Sequence, residues 1–237
     1  MNEQEILAYL EQDKTLRIDM IEAVRRGGAK ILYAEPDAVL LTKMDRFCLL
    51  VSDTVEAGMR ALSTVPKDFR LFIAHNEASR DAVFRAFPNI NHVSACWQAY
   101  YPGTEPMPVP DVCEIKPFPL EQVPFLMSVY DPDGHPERYT ESVKRGDVLA
   151  AYADGELAGF IGFHSDGSGG MLEVLPKFRR RGIGSALEIA LHNEALKRGW
   201  TPYGQIYTTN NASRKLQESL GMVVSDGAIY WMYEESV

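Results

Sequence analysis

The sequence predicts a mixed α/β chain, α+β in character, made of two tandem halves that each carry a mostly antiparallel mixed sheet flanked by helices. Three observations predict it. Short apolar runs with a strand period alternate with segments of helical period along all 237 residues. Prolines at 102, 106, 108 and 110 interrupt that alternation near the middle. Proline at this density supports neither helix nor central strand, so residues 101–111 read as a linker between domains at 1–100 and 112–237. The third observation is a repeat. Asn76, Ala78, Ser79 and Arg80 match Asn210, Ala212, Ser213 and Arg214 at an offset of 134 positions, and both sets follow a strand-like run.

In the first half, Ile6, Leu7 and Leu10, then Leu16, Ile18, Ile21 and Val24, predict two short amphipathic helices, the second stopped by Gly27-Gly28. Residues 30–34 and 38–42 are β-rich and flank Glu35-Pro36-Asp37, a hairpin signal. A third apolar run spans 47–51, after which Ser52, Asp53 and Thr54 offer caps for a helix over 55–62. Strand 69–74, helix 77–87 and strand 91–97 close the half.

The second half repeats the order. A strand at 113–118 precedes helices at 120–130 and 136–144, and strands 148–153 and 157–163 form a hairpin around Asp154-Gly155. Met171, Leu172, Val174 and Leu175 alternate as a strand closed by Pro176. Ala186, Leu187, Ile189, Ala190 and Leu191 then fall at helical spacing, with Lys197 and Arg198 in the last turn and Gly199 as the stop. Strand 202–208, a helix over 211–220 stopped by Gly221, and a strand pair in 222–234 around Asp226-Gly227 end the chain.

Composition narrows the function. A hydrophobic content of 46% supports a real core, and no run reaches the roughly 18 apolar residues of a membrane span. The acidic, amphipathic start argues against a secretory signal. Cys48, Cys96 and Cys113 lie far apart without metal-ligand spacing, so the expectation is a reduced, cytoplasmic protein with no disulfide framework and no metal. A net charge of −9 argues against nonspecific binding to nucleic acid or anionic membrane; the expected assembly is a monomer or homodimer.

Against that acidic background stands one basic, glycine-rich turn. Arg179, Gly182 and Gly184 form R-x-x-G-x-G between a strand and a helix, with Ile183 inside the motif, Ser185 next, and Lys177, Arg180 and Arg181 adding charge. Such a turn leaves backbone N–H groups unpaired at the positive end of the helix dipole, and glycine lets a phosphate approach closely. The third glycine of a dinucleotide fingerprint is missing and no G-K-[ST] follows, so nicotinamide and triphosphate ligands fit poorly. The serines lack a G-x-S-x-G setting and the cysteines a basic neighbourhood, which removes a catalytic triad.

VLPKFRRRGIGSALEIAL resembles the coenzyme-binding motif of the GNAT superfamily of acyl-CoA-dependent N-acyltransferases, and NNASRKLQESLGM, from Asn210 to Met222, resembles its second motif. The first half resembles a degenerate copy of the same fold without the turn. The resemblance implies acetyl-CoA as co-substrate, with backbone N–H groups from Arg181 to Ser185 on the pyrophosphate and Lys177, Arg179 or Arg180 on its phosphates. It implies a splayed central strand whose edge, Leu172 to Val174, pairs with the pantetheine arm, and contacts to that arm from Asn210 and Ser213. The implied acceptor is an amine: a small molecule, a protein N-terminus or a lysine. A cleft between the halves, lined partly by Phe160, His164, Tyr230, Trp231 and Tyr233, is expected to hold it.

Attack on a thioester requires a neutral amine, so a base must take a proton. Glu173, turned away from the face of Leu172 and Val174 by strand alternation, and His164, at the end of the preceding strand, are the candidates. Many GNAT members carry a tyrosine where this chain has Gln217, and an amide cannot serve as the acid for the leaving thiolate; Tyr207, Tyr230 and Tyr233 are the nearby alternatives. The same departure motivates a rival reading as a noncatalytic acyl-CoA-binding or sensing module.

Overall fold

A computed structural model describes residues 1–43 and 47–235, with a mixed α/β fold. The chain forms two compact units, Met1–Tyr100 with Gln205–Val237, and Tyr101–Gly204.

The N-terminal part of the first unit contains α1 (Glu3–Leu10), α2 (Ile18–Arg25), β1 (Ala29–Glu35), β2 (Ala38–Lys43), β3 (Phe47–Ser52), α3 (Val55–Leu62), β4 (Leu71–Ala74), α4 (Glu77–Ala86) and β5 (His92–Tyr100). Three of its four helices start where short polar side chains occupy the free N–H groups of the first turn: Asn2 with Glu5 on α1, Thr54 on α3 and Asn76 on α4; α2, which follows Arg17, has no such cap. Strands β1, β2 and β3 form an antiparallel meander, and β3 pairs with β4 in parallel from Cys48↔Phe72 to Leu50↔Ala74. A parallel pair needs a crossover, which α3 supplies. Strands β2 and β3 are buried on both faces, and their period of two sorts the side chains between two cores. Val39, Leu41, Leu49 and Val51 pack with α1 and α2, while Leu40, Cys48 and Leu50 pack with α3 and α4.

The second unit contains β6 (Glu114–Pro117), α5 (Val123–Tyr130), α6 (Pro136–Lys144), β7 (Val148–Ala153), β8 (Glu156–Phe163), β9 (Gly169–Val174), α7 (Ile183–Lys197) and the start of β10 (Tyr203–Tyr207). Strands β6 to β9 pair antiparallel in chain order, and β10 joins β9 in parallel through Gly204↔Gly169. The hairpin turn at Asp154-Gly155 is left-handed at both residues (φ +55° and +79°), as a two-residue turn matching strand twist requires. Helix α7 covers one face of the sheet with Ile183, Leu187 and Leu191; α5 and α6 cover the other, where Leu126 and Tyr139 meet Phe160 and Met171. The proline-rich stretch is coil, as expected, and is pinned: Met107 N–H donates to Asn193 Oδ1 on α7, and Asn193 Nδ2 donates to the Met107 carbonyl, both at 2.8 Å.

The chain then returns to the first unit through α8 (Asn211–Ser219), β11 (Val223–Val224) and β12 (Ile229–Tyr233). Strand β12 inserts between β4 and β5, antiparallel to both. Beside β5 lie β10 and β11, with Thr208 N–H on the Ala95 carbonyl at 3.0 Å. The compact units therefore divide the chain differently from a cut at 101–111, because residues 205–235 pack with the N-terminal hundred. The repeated N-x-A-S-R has a local cause. Asn76 Oδ1 accepts Ser79 N–H at 2.8 Å and Asn210 Oδ1 accepts Ser213 N–H at 3.0 Å, so both are helix caps. The arginine that follows each serine lies over an aromatic ring, Arg80 over Tyr230 and Arg214 over Trp97.

Candidate active site

Strand β9 is bent before it reaches the glycine-rich turn. Its pairing with β8 runs Gly159↔Val174 and Phe160↔Glu173, then resumes at Gly162↔Gly170. Leu172 and Met171 thus face Ile161 alone, and Met171 adopts φ +56°, the mark of a β-bulge. The bulge puts two consecutive residues on one face: a side chain at Gly170 would run into the His164 ring, and Met171 enters the core of α5 and α6. Leu172 and Val174 then pack under α7, which leaves Glu173 on the opposite face, as alternation predicts. Gly159 permits the close approach, since a Cβ there would strike the Glu173 carbonyl.

After β9, Phe178 is buried as an anchor, and Arg180 and Gly182 are left-handed at φ +66° and +81°. Gly182 is the N-cap of α7 and contributes no side chain to it. Helices α1, α3, α4 and α8 all receive a side-chain cap; α7 does not, and its first turn carries no acidic residue. Among the described residues the N–H groups of Ile183, Gly184 and Ser185 have no acceptor, and Ala186 N–H makes the first internal bond, to Gly182 at 3.1 Å. A Cβ on Gly184 would rest on Val174 at 3.7 Å, so that glycine faces the sheet.

The four cations of this turn are not equivalent. Lys177 pairs with Glu156 at 2.7 Å, and Arg181 grips Asp154 of the β7–β8 turn through both nitrogens at 2.7 and 3.2 Å, which lowers the carboxyl pKa of Asp154. Arg179 Nη2 meets Glu173 at 3.1 Å while its Nε donates to the Val174 carbonyl at 2.9 Å. Arg180 is exposed and has no carboxylate partner among the described residues. The free guanidinium of the cluster is therefore Arg180.

His164 and Glu173 differ in the same way. Glu173 is engaged by Arg179. The His164 ring is half-buried beside Gly170 and 6.5 Å from the Tyr130 ring, with no hydrogen bond to either ring nitrogen among the described residues. Burial lowers its pKa below the ordinary 6.5; Asp166 opposes this and Arg138 reinforces it, so the imidazole is a free neutral base at pH 7. A rigid loop holds it. His164 N–H donates to the Ser168 carbonyl at 2.8 Å, Asp166 Oδ1 accepts from the Ser168 N–H and hydroxyl, and Tyr203 OH donates to the Asp166 carbonyl.

Most of the remaining expected residues belong to the first compact unit. Tyr207 (60% exposed), Asn210, Ser213 and buried Gln217 belong to the first compact unit. In that unit Tyr230 carries Arg80, Trp231 donates to Gln205 at 2.6 Å, and Tyr233 stacks on His92. Phe160 has no exposed surface, which corrects its expected place on a cleft wall; it fills the core of α5 and α6. Sequence reasoning missed Gly170, Met171 and Tyr130. The Gly169-Gly170 pair after Ser165-Asp166-Gly167 was the available signal. Among the described residues no group of side chains could hold a metal ion, and no helix is long and apolar enough to cross a membrane.

Residues 149–232 match the family FR47-like protein. No curated protein matches the chain in sequence. Solved structures match it in fold. A Drosophila protein is 16% identical, with 98% of this chain and 96% of that one covered and a TM-score of 0.63. A GCN5-related N-acetyltransferase from Kribbella flavida is 12% identical, with 94% and 96% covered and a TM-score of 0.58. An acetyltransferase of the GNAT family from Colwellia psychrerythraea is 14% identical, with 97% and 95% covered and a TM-score of 0.53. The chain shares the fold of these structures.

Proposed function

We propose that this chain is an acyl-CoA-dependent N-acyltransferase that moves an acetyl group from acetyl-CoA to an amine by direct attack of the nitrogen on the thioester. The observation that carries the reading is the bare N-terminus of α7, where three N–H groups lack acceptors among the described residues, beside a left-handed Gly182 and an Arg180 with no carboxylate partner among them. A pyrophosphate supplies the missing acceptors, and its charge is favoured by the helix dipole. Arg180 supplies a charged hydrogen bond to the phosphates, while Lys177, Arg179 and Arg181 shape the turn through their own ion pairs. The edge of β9 at Leu172–Val174 offers backbone groups to the amide-rich pantetheine arm.

His164 is the base. Its neutral imidazole lies against Gly170, one residue before the bulge, and accepts the proton that the acceptor ammonium must lose before its nitrogen attacks; the new C–N bond then replaces the C–S bond, and coenzyme A leaves as the thiolate. The N-terminal half, with its own antiparallel strands and parallel β3–β4 pair, is read as a copy of the scaffold in which Thr54 caps the corresponding helix and no bare turn remains.

Calorimetry with coenzyme A, followed by transfer of labelled acetyl to an amine panel, tests the reading. Arg180→Ala is expected to weaken coenzyme binding roughly tenfold, the worth of one charged hydrogen bond. An unchanged affinity in that variant would contradict the phosphate role. Binding without transfer to any amine would instead support a binding module, the reading that Gln217 favours.

A further inference from the structure

We propose that the groove between α5 and α6 receives the apolar body of the acceptor, so that the chain selects primary amines carrying an aliphatic or aryl group. This rests on the acyl-transfer reading above and names the acceptor class. The groove has a volume of about 520 Å³ and is lined by Leu120, Val123, Met127, Pro132, Pro136 and Thr140, among others, with no charged side chain. That volume lies within the usual range of small-molecule sites, about 300–1,000 Å³. The helix that forms one wall, VPFLMSVY, contains no charge and buries only Val123 and Leu126, so most of its apolar surface stays open.

The rim identifies the occupant as a cation. Glu121, Asp133 and Glu137 each follow a lining residue directly, are exposed, and have no ion pair or hydrogen bond among the described residues. Asp131 differs, being held by Tyr139 OH at 2.6 Å. The local cation is Arg138, which lies over the Tyr139 ring at 5.7 Å. Three free carboxylates around an uncharged groove complement an ammonium on an apolar body; a neutral ligand gains nothing from them. The helix that walls the groove also carries a residue near the base. Met127 lines it, and Tyr130, three residues on and on the same helix face, places its ring beside His164.

Calorimetry on the full chain, with and without coenzyme A, tests this with three probes: hexylamine, ethylamine and hexan-1-ol. Hexylamine is expected to bind at least about tenfold tighter than either of the others, since several buried methylenes separate it from one and a charge from the other. Ser128→Trp, a change on the exposed side of α5 that fills the groove, is expected to remove that advantage and leave coenzyme A affinity unchanged. Asp133→Lys with Glu137→Lys is expected to weaken hexylamine but not hexan-1-ol. Equal binding of hexylamine and ethylamine overturns the proposal. So does equal binding of hexylamine and hexan-1-ol, which would mark a neutral docking surface. The heat of binding needs no turnover, so the two failures are distinguishable: hexylamine bound with that preference but never acetylated would contradict the acyl-transfer reading and with it the groove's role as acceptor site, whereas transfer to amines without that binding preference would overturn the groove proposal alone. If Ser128→Trp does not fold, the wild-type probe series decides alone.

Discussion

Gly170 and His164 make a pair that strand alternation alone does not reveal. A Cβ at position 170 would meet His164 Nε2, the free end of a side chain that can swing aside, so Gly170→Ala displaces the ring more than it strains the fold. The expected result is a fall in kcat of about ten- to a hundredfold, the range for a mispositioned general base, with an unchanged melting temperature and coenzyme affinity. Steady-state kinetics and a thermal melt check it together. The pH profile follows from the same site. Burial lowers the His164 pKa, and only the neutral ring accepts a proton, so the acid limb of kcat/KM is centred below pH 6.5. An acid limb centred at or above 6.5 would assign the base elsewhere. Both His164 and Glu173 were legible in the sequence as candidates. Their different fates were not, because the Arg179–Glu173 pair forms across a non-repetitive turn whose geometry no periodicity encodes.

The strand–turn–helix from β9 to α7 was legible at the level of its elements, since alternation, glycine and helical spacing are local signals. Its bulge was not, because a bulge is a property of the register against β8. The two motif glycines also separate only in three dimensions. Gly182 is left-handed at φ +81°, and a Cβ there would meet only Val112 at an ordinary contact distance of 3.8 Å, so Gly182→Ala is expected to cost about 1–2 kcal/mol through backbone strain. Gly184 lies inside the first turn with a normal contact distance to Val174, so Gly184→Ala is expected to raise stability by up to about 1 kcal/mol. Chemical denaturation of the two variants should move in opposite directions; a shared direction would contradict the assigned backbone roles.

For the whole molecule, element order was readable from the sequence and the division into units was not. Strand β12 pairs with β4 and β5, more than 120 residues away in sequence, and no local pattern specifies partners at that distance. The same insertion makes a prediction. A chain ending at Gly204 would leave β4 and β5 without the strand between them and expose Ile73, Cys96 and their neighbours, which pack with Ile229. Such a truncation is expected to lose the cooperative thermal transition of the first unit, and a retained transition would show that unit to be self-sufficient. The account as a whole stands on acetyl transfer. Its most direct test is a single-turnover reaction of labelled acetyl-CoA with hexylamine, read as label on the amine and free thiol released. The account predicts stoichiometric transfer in the wild type and a loss of about ten- to a hundredfold in the His164→Gln rate at saturating coenzyme. Coenzyme that binds without labelling any amine, or an unchanged rate in His164→Gln, would contradict it.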